Sequence, residues 1–254
     1  ERASVLKNAG ADQENRMTHR ASASPLWGPA ATVLWGILIV AVYVLVSGSV
    51  SVMRIMDRTG DPARAGTLMG GTDVSIVVLA GAASLLLATL GVARLRSRSP
   101  WTGYLAVRGL PARVTLYWIG MTVLLLLASD LLTLALDRPL VPEFVRRIHA
   151  TADARWLLWL AIVVAAPVSE EVFFRGFLLP GLARAPGGPV LAVVITAGLW
   201  AGIHLQYDLY SMSQVFVLGL VLGAARLRSA TLTLPILLHA LVNAVALVEA
   251  ALTA

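Results

Sequence analysis

The stretch APVSEEVFFRGFLLPG, residues 166–181, sets Glu170, Glu171 and Arg175 inside an otherwise apolar run. Farther along, WAGIHL puts His204 one helical turn after Trp200, and HALVN puts His239 and Asn243 four apart. An ionised side chain at the centre of a bilayer helix costs roughly 2.5–3.5 kcal/mol on insertion scales, so this set must be paired or put to use. Glu171 and Arg175, four apart, share a helix face, and the spacing predicts an ion pair. Glu170 points about 100° away and is left for another partner. One free carboxylate, two histidines and an asparagine suit hydrolysis of an amide. A carboxylate in a low-dielectric site takes up a proton more readily and can act as general base toward water. His204 would share that water or donate to the leaving amine, and His239 with Asn243 would donate to the developing oxyanion. Glu170, His204 and His239 also match the ligand list of a first-row metal, zinc above all. Residue type and spacing leave the metal-free and metal-bound schemes both open.

Taken singly, each residue has a structural reading. Membrane histidines and asparagines commonly hydrogen-bond across packed helices, and Glu171 with Arg175 could be a purely structural pair. Asp130 and Glu249 read as helix packing or interfacial positions. The set on three separate segments is what favours chemistry. Other hydrolase signatures are missing: there is no His-Glu-x-x-His, no Gly-x-Ser-x-Gly and no Gly-x-Gly-Asp.

The elements that must position these side chains follow from composition. The 254 residues are 58% hydrophobic and 13% charged, with a mean hydropathy of +0.80, about half the charge of a soluble domain. The reading is an all-α polytopic membrane protein. Cysteine is absent, which excludes disulfides, thiol nucleophiles and thiolate metal sites. The net charge of +6 comes almost wholly from arginine. No basic run is interleaved with aromatics in the manner of stacking readers, so nucleic acid is not an expected partner.

At about 20 apolar residues per crossing, seven spans are expected, at 27–49, 73–93, 113–136, 155–179, 189–206, 210–227 and 231–252. Residues 1–26 read as a polar, disordered tail that is not a signal peptide, with Met17 a candidate natural start and 1–16 an extension. Residues 27–254 read as one helical membrane domain with its chemistry at 155–245. The loop ARLRSRSPWTGYLAVRGLPAR, residues 93–113, holds five arginines and no acid, which places it and the N-terminus on the cytoplasmic side. These boundaries contain a conflict. They put Glu170 near the inner face, His204 near the outer face and His239 about 12 Å from the inner side, depths that do not meet. Either the fourth span starts earlier, near 147, or the fifth begins inside the protein after Gly188.

The three motifs, in this order, resemble those of the type II CAAX prenyl endopeptidases and their bacterial relatives, the CAAX protease and bacteriocin-processing family. Glu-Glu-x-x-x-Arg is intact at Glu170, Glu171 and Arg175. Phe-x-x-x-His reads Trp200 to His204, with tryptophan in the aromatic place, and His-x-x-x-Asn is intact at His239 and Asn243. The resemblance covers about 155–245. It implies a glutamic-type intramembrane endopeptidase without a cofactor, once regarded as a metalloprotease. In that scheme Glu170 and His204 activate water, His239 and Asn243 form the oxyanion hole, and Glu171 and Arg175 support the site. The implied partners are the bilayer and a membrane-anchored or lipid-modified protein substrate, and the implied location is a bacterial inner membrane. Two other readings remain: a non-catalytic immunity or binding protein, and a proton-coupled transporter. Confinement of the polar residues to the C-terminal half argues against the transporter. Tryptophan for phenylalanine is expected to alter only the local shape of the pocket.

Overall fold

A computed structural model describes residues 26–60, 69–96 and 101–253; of the tail expected at 1–26, residues 1–25 lie outside them. The described residues are mainly helical, with no strand among them. In chain order the helices are α1 (Pro29–Thr59), α2 (Gly71–Arg96), α3 (Trp101–Leu105), α4 (Ala112–Ala135) and α5 (Glu143–Ala150). Next come a composite α6 (Arg155–Leu182), α7 (Gly188–Gly202), α8 (Leu209–Ser229) and α9 (Thr233–Leu252). Helices α1, α2, α4, α6, α8 and α9 are long and apolar enough to cross a bilayer, and the chain is a polytopic α-helical membrane protein. α1 and α4 turn apolar side chains outward, among them Leu34, Leu45, Leu116 and Leu131, as a lipid-facing surface requires.

The expected fifth crossing is corrected. α7 has 15 residues, about 22 Å, against a hydrocarbon core of about 30 Å. It starts from the turn ARAPGGPV, where Gly187 and Gly188 take φ of 97° and 61°, a region that side chains rarely enter. It stops at Gly202, and His204 stands just beyond its end. The fourth span does not begin near 147. Residues 143–150 form the separate α5, whose buried face is Val145, Ile148 and His149. α6 instead runs on to Leu182, which leaves Glu170 about 18 Å from that end. That Glu170 and Glu171 meet residues of α7 and α9 is shown by direct contact, Glu170 with Trp200 and Glu171 with His239.

Both ends of the bundle are latched. At the arginine-rich end, Leu232 N–H bonds the Ala106 carbonyl at 3.0 Å and Thr233 Oγ1 bonds that of Arg108 at 2.8 Å. At the other end Gly71 N–H reaches Thr151 Oγ1 at 2.9 Å. A Cβ at Gly71 would fall 1.8 Å from the Ile148 carbonyl oxygen, so glycine is what lets α2 meet α5. Buried Asp73 accepts from Arg54 there, at 2.9–3.0 Å.

α6 occupies the centre, packed by α2, α7 and α9. Every residue from Glu171 to Leu179 is buried, which is why this helix carries the apolar run in which the charges stand. It is not a uniform α-helix. Leu160–Ala165 and Val172–Leu178 are π-helical, flanking one α-helical turn, Ala166–Glu171. Such widened turns are rare and frequent at functional sites.

Candidate active site

The structure links Glu170, Glu171, Arg175, His204 and His239 through Trp200 and direct contacts among α6, α7 and α9, with Asn243 one turn beyond His239 on α9. Glu171 and Arg175 form the expected ion pair, Nη1 donating to Oε1 at 2.9 Å, with both side chains wholly buried. The same carboxylate oxygen stands 3.1 Å from His239 Nδ1. Arg175 Nη2 donates to the Gly219 carbonyl on α8 at 3.1 Å. Glycine is needed there, because a Cβ at 219 would lie 2.9 Å from Ala197 Cβ and 3.2 Å from Trp200 Cε3. The Gly219 and Gly223 pattern thus brings α8 close to α7, as small-xxx-small spacing does.

Glu170 finds the partner its direction left open. The indole N–H of Trp200 donates to its Oε2 at 2.6 Å. Trp200 is 2% exposed; its ring meets His204 edge-on at 5.3 Å and His239 at 5.0 Å, and lies 4.7 Å below the Arg175 guanidinium. The expectation that tryptophan changes only pocket shape is therefore too small. It adds a donor that phenylalanine lacks, and the motif-level reading missed it. His204 Nδ1 lies 2.7 Å from the Trp200 carbonyl. A carbonyl only accepts, so Nδ1 carries a hydrogen and donates it.

Asn243 is placed by a backbone defect. In the first π-helical segment the Ala166 N–H bonds the Ala161 carbonyl, five residues back. The Ile162 carbonyl would next pair with residue 167, but Pro167 has no N–H. That freed carbonyl accepts Asn243 Nδ2 at 2.8 Å, leaving one N–H of the amide uncommitted. A proline three residues before the glutamates was legible as a source of free carbonyls; which carbonyl, and that Asn243 takes it, was not. Pro167→Ala restores a competing N–H. The expected outcome is a roughly fivefold lower rate of substrate cleavage, the equivalent of one net hydrogen bond, with a thermal midpoint no lower than wild type. Both are measured on the purified variant.

Glu170, His204 and His239 are not gathered as a ligand set: among the described residues no three His, Asp or Glu side chains form a group that could hold a metal ion. One atom of each is engaged elsewhere, Glu170 Oε2 and His204 Nδ1 with Trp200 and His239 Nδ1 with Glu171. Asp130 and Glu249 are not part of the cluster; Glu249 lies about 15 Å beyond His239 along α9. Towards the end opposite the arginines, His204 stacks on Tyr207 at 5.7 Å. Tyr207 also lines a cavity of about 300 Å³ with Arg138, Phe144, Asp208 and Gln214. Burial, and then the Glu170 carboxylate, push its phenol up to about 12, so it stays protonated across the neutral range.

Residues 152–245, which hold the whole cluster, match the family model described as Type II CAAX prenyl endopeptidase Rce1-like. This segment is an Rce1-like CAAX endopeptidase domain. An Escherichia coli protein described as "Uncharacterized 24.3 kDa protein" is 33% identical over 144 residues, which cover 55% of this chain and 66% of that protein. The chain thus matches a little under two thirds of that relative's length. No solved structure matches. The apolar helices and the CAAX endopeptidase domain together mark an integral membrane protein.

Proposed function

We propose that this protein is an intramembrane endopeptidase that hydrolyses a peptide bond of a membrane-anchored or lipid-modified protein. At family level the Rce1-like domain supports a CAAX-type intramembrane protease. The observation that carries the finer reading is the arrangement around Trp200. Glu170 has one oxygen held at 2.6 Å by the indole, and the His204 ring stands edge-on to the same indole, in an apolar bundle.

The chemistry follows from those atoms. The free oxygen of Glu170 takes a proton from a water that His204 Nε2 helps to orient. The water oxygen bonds to the scissile carbonyl carbon, and the carbonyl electrons move to oxygen. His239, whose Nδ1 is engaged by Glu171, serves as a donor through Nε2. Asn243 offers its remaining N–H. Together they hold the oxyanion, a type of contact whose loss typically costs 10²–10³-fold in rate. Collapse of the tetrahedral species breaks the C–N bond, and the proton held by Glu170 goes to the departing amine. Glu171 and Arg175 act by fixing His239 and Trp200. The substrate chain reaches the site past Tyr207, through the cavity at that end. We further place the protein in a bacterial inner membrane with its N-terminus cytoplasmic, on the strength of the arginines.

The test is a reconstituted assay. Protein in phospholipid vesicles is incubated with a membrane-anchored peptide, and products are located by mass spectrometry. One cut beside the bilayer is expected, at a rate unchanged by EDTA or 1,10-phenanthroline. Loss of activity to the chelator and its return with zinc would favour metal-bound hydrolysis, and no cut with any anchored peptide would reject the protease reading.

A further inference from the structure

We propose that Trp200 is a positioning residue of the hydrolytic centre, its indole N–H fixing one oxygen of Glu170 so that the other faces the water. This rests on Glu170 being the base, and it deepens that reading by naming what holds the base in place.

A glutamate has three side-chain torsions, the last of them broad, and Glu170 is only half-buried. Its neighbour Glu171 is fixed by Arg175 and stands against His239. Among the described residues Glu170 has a single hydrogen-bond donor, Trp200 Nε1 at 2.6 Å. The orientation of its carboxylate therefore depends on one N–H. That N–H is itself rigidly seated. The ring is 2% exposed, caged edge-on by His204 and His239, capped by the Arg175 guanidinium, and approached by α8 at Gly219 without an intervening side chain.

Trp200 also reaches His204 through its carbonyl, which accepts from Nδ1 at 2.7 Å and leaves Nε2 as the ring nitrogen free to face the water. One residue thus sets the direction of the carboxylate by its side chain and the orientation of the histidine ring by its backbone. The two groups that share the water are mutually aligned because both refer to the same indole unit. Proximity of this kind is sensitive: a misplacement of about 1 Å can cost on the order of 100-fold in rate. A phenylalanine at 200 would keep the edge contacts and lose the alignment of Glu170.

The decisive variant carries 3-benzothienylalanine at position 200, which keeps the bicyclic shape and replaces the N–H by sulfur. In the reconstituted cleavage assay kcat is expected to fall roughly 10- to 100-fold, the worth of a hydrogen bond to a charged group, with KM within about twofold. Trp200→Phe should lose kcat to a similar extent. A structural role would leave kcat untouched in the isosteric variant, or raise KM with it. A second measurement is independent of turnover. The Nε1–H resonance of Trp200 in detergent-solubilised protein, assigned by its loss in Trp200→Phe, should lie downfield and move upfield in Glu170→Ala. Wild-type kcat in the benzothienyl protein, or a resonance indifferent to Glu170, overturns the proposal while leaving the protease reading intact. A wild-type protein that cleaves nothing overturns the protease reading itself.

Discussion

Arg175→Leu is expected to destabilise the protein by about 3–5 kcal/mol, the usual result of removing one partner from a buried ion pair. The guanidinium is wholly buried and makes two directed contacts, to Glu171 Oε1 at 2.9 Å and to the Gly219 carbonyl at 3.1 Å. It also lies 4.7 Å above the Trp200 ring. Leucine fills part of the volume and leaves the Glu171 carboxylate in the packed interior with His239 alone. The loss exceeds what packing would predict, because the cost is that of an uncompensated buried charge. The companion variant separates the two. Removing both charges, as Glu171→Gln with Arg175→Leu, is expected to be more stable than Arg175→Leu, since replacing a whole buried pair costs far less than breaking it. Thermal or SDS titration of the two purified variants checks this. A double variant no more stable than the single would show that Arg175 acts through Gly219 and Trp200 instead of through Glu171. The same pair matters to chemistry at one remove, since it is Glu171 that stands against His239 Nδ1.

Much of this arrangement was legible before any coordinates. Composition marks the membrane bundle, the i, i+4 spacing marks the Glu171–Arg175 pair, and the direction of Glu170 marks it as available to a different partner. Pro167 signalled a break in backbone bonding. What stayed hidden depends on quantities that a hydropathy pattern does not carry. An apolar run looks the same whether its bonds span four residues or five, so the π-helical segments of α6 left no trace. The end of α6 at Leu182 and the 15 residues of α7 are set by packing against neighbours, which decides how deep Glu170 and His204 lie. In the sequence Trp200 is an aromatic in an aromatic place; its N–H acquires meaning only once Glu170 is known to face it. Tyr207 was missed because a loop tyrosine outside every motif carries no sequence signal until His204 is found stacked on it.

Glu170→Gln carries the largest expected effect on activity. A general base contributes on the order of 10²–10⁴-fold, and glutamine has the same shape without the capacity to accept water's proton. Its carbonyl oxygen can still receive the Trp200 N–H, so the indole, His204 and His239 keep their places and the fold is preserved. Glu171 and Arg175 make no contact that the change removes, so the thermal midpoint should stay within a few degrees of wild type. The measurement is kcat for cleavage of a membrane-anchored peptide by wild-type and Glu170→Gln protein in the same vesicles, with the cut site read by mass spectrometry. A fall in kcat of about a thousandfold or more, in a protein that melts as the wild type does, is the predicted result. Cleavage at the same bond within about tenfold of the wild-type rate would contradict the assignment of Glu170 as the base.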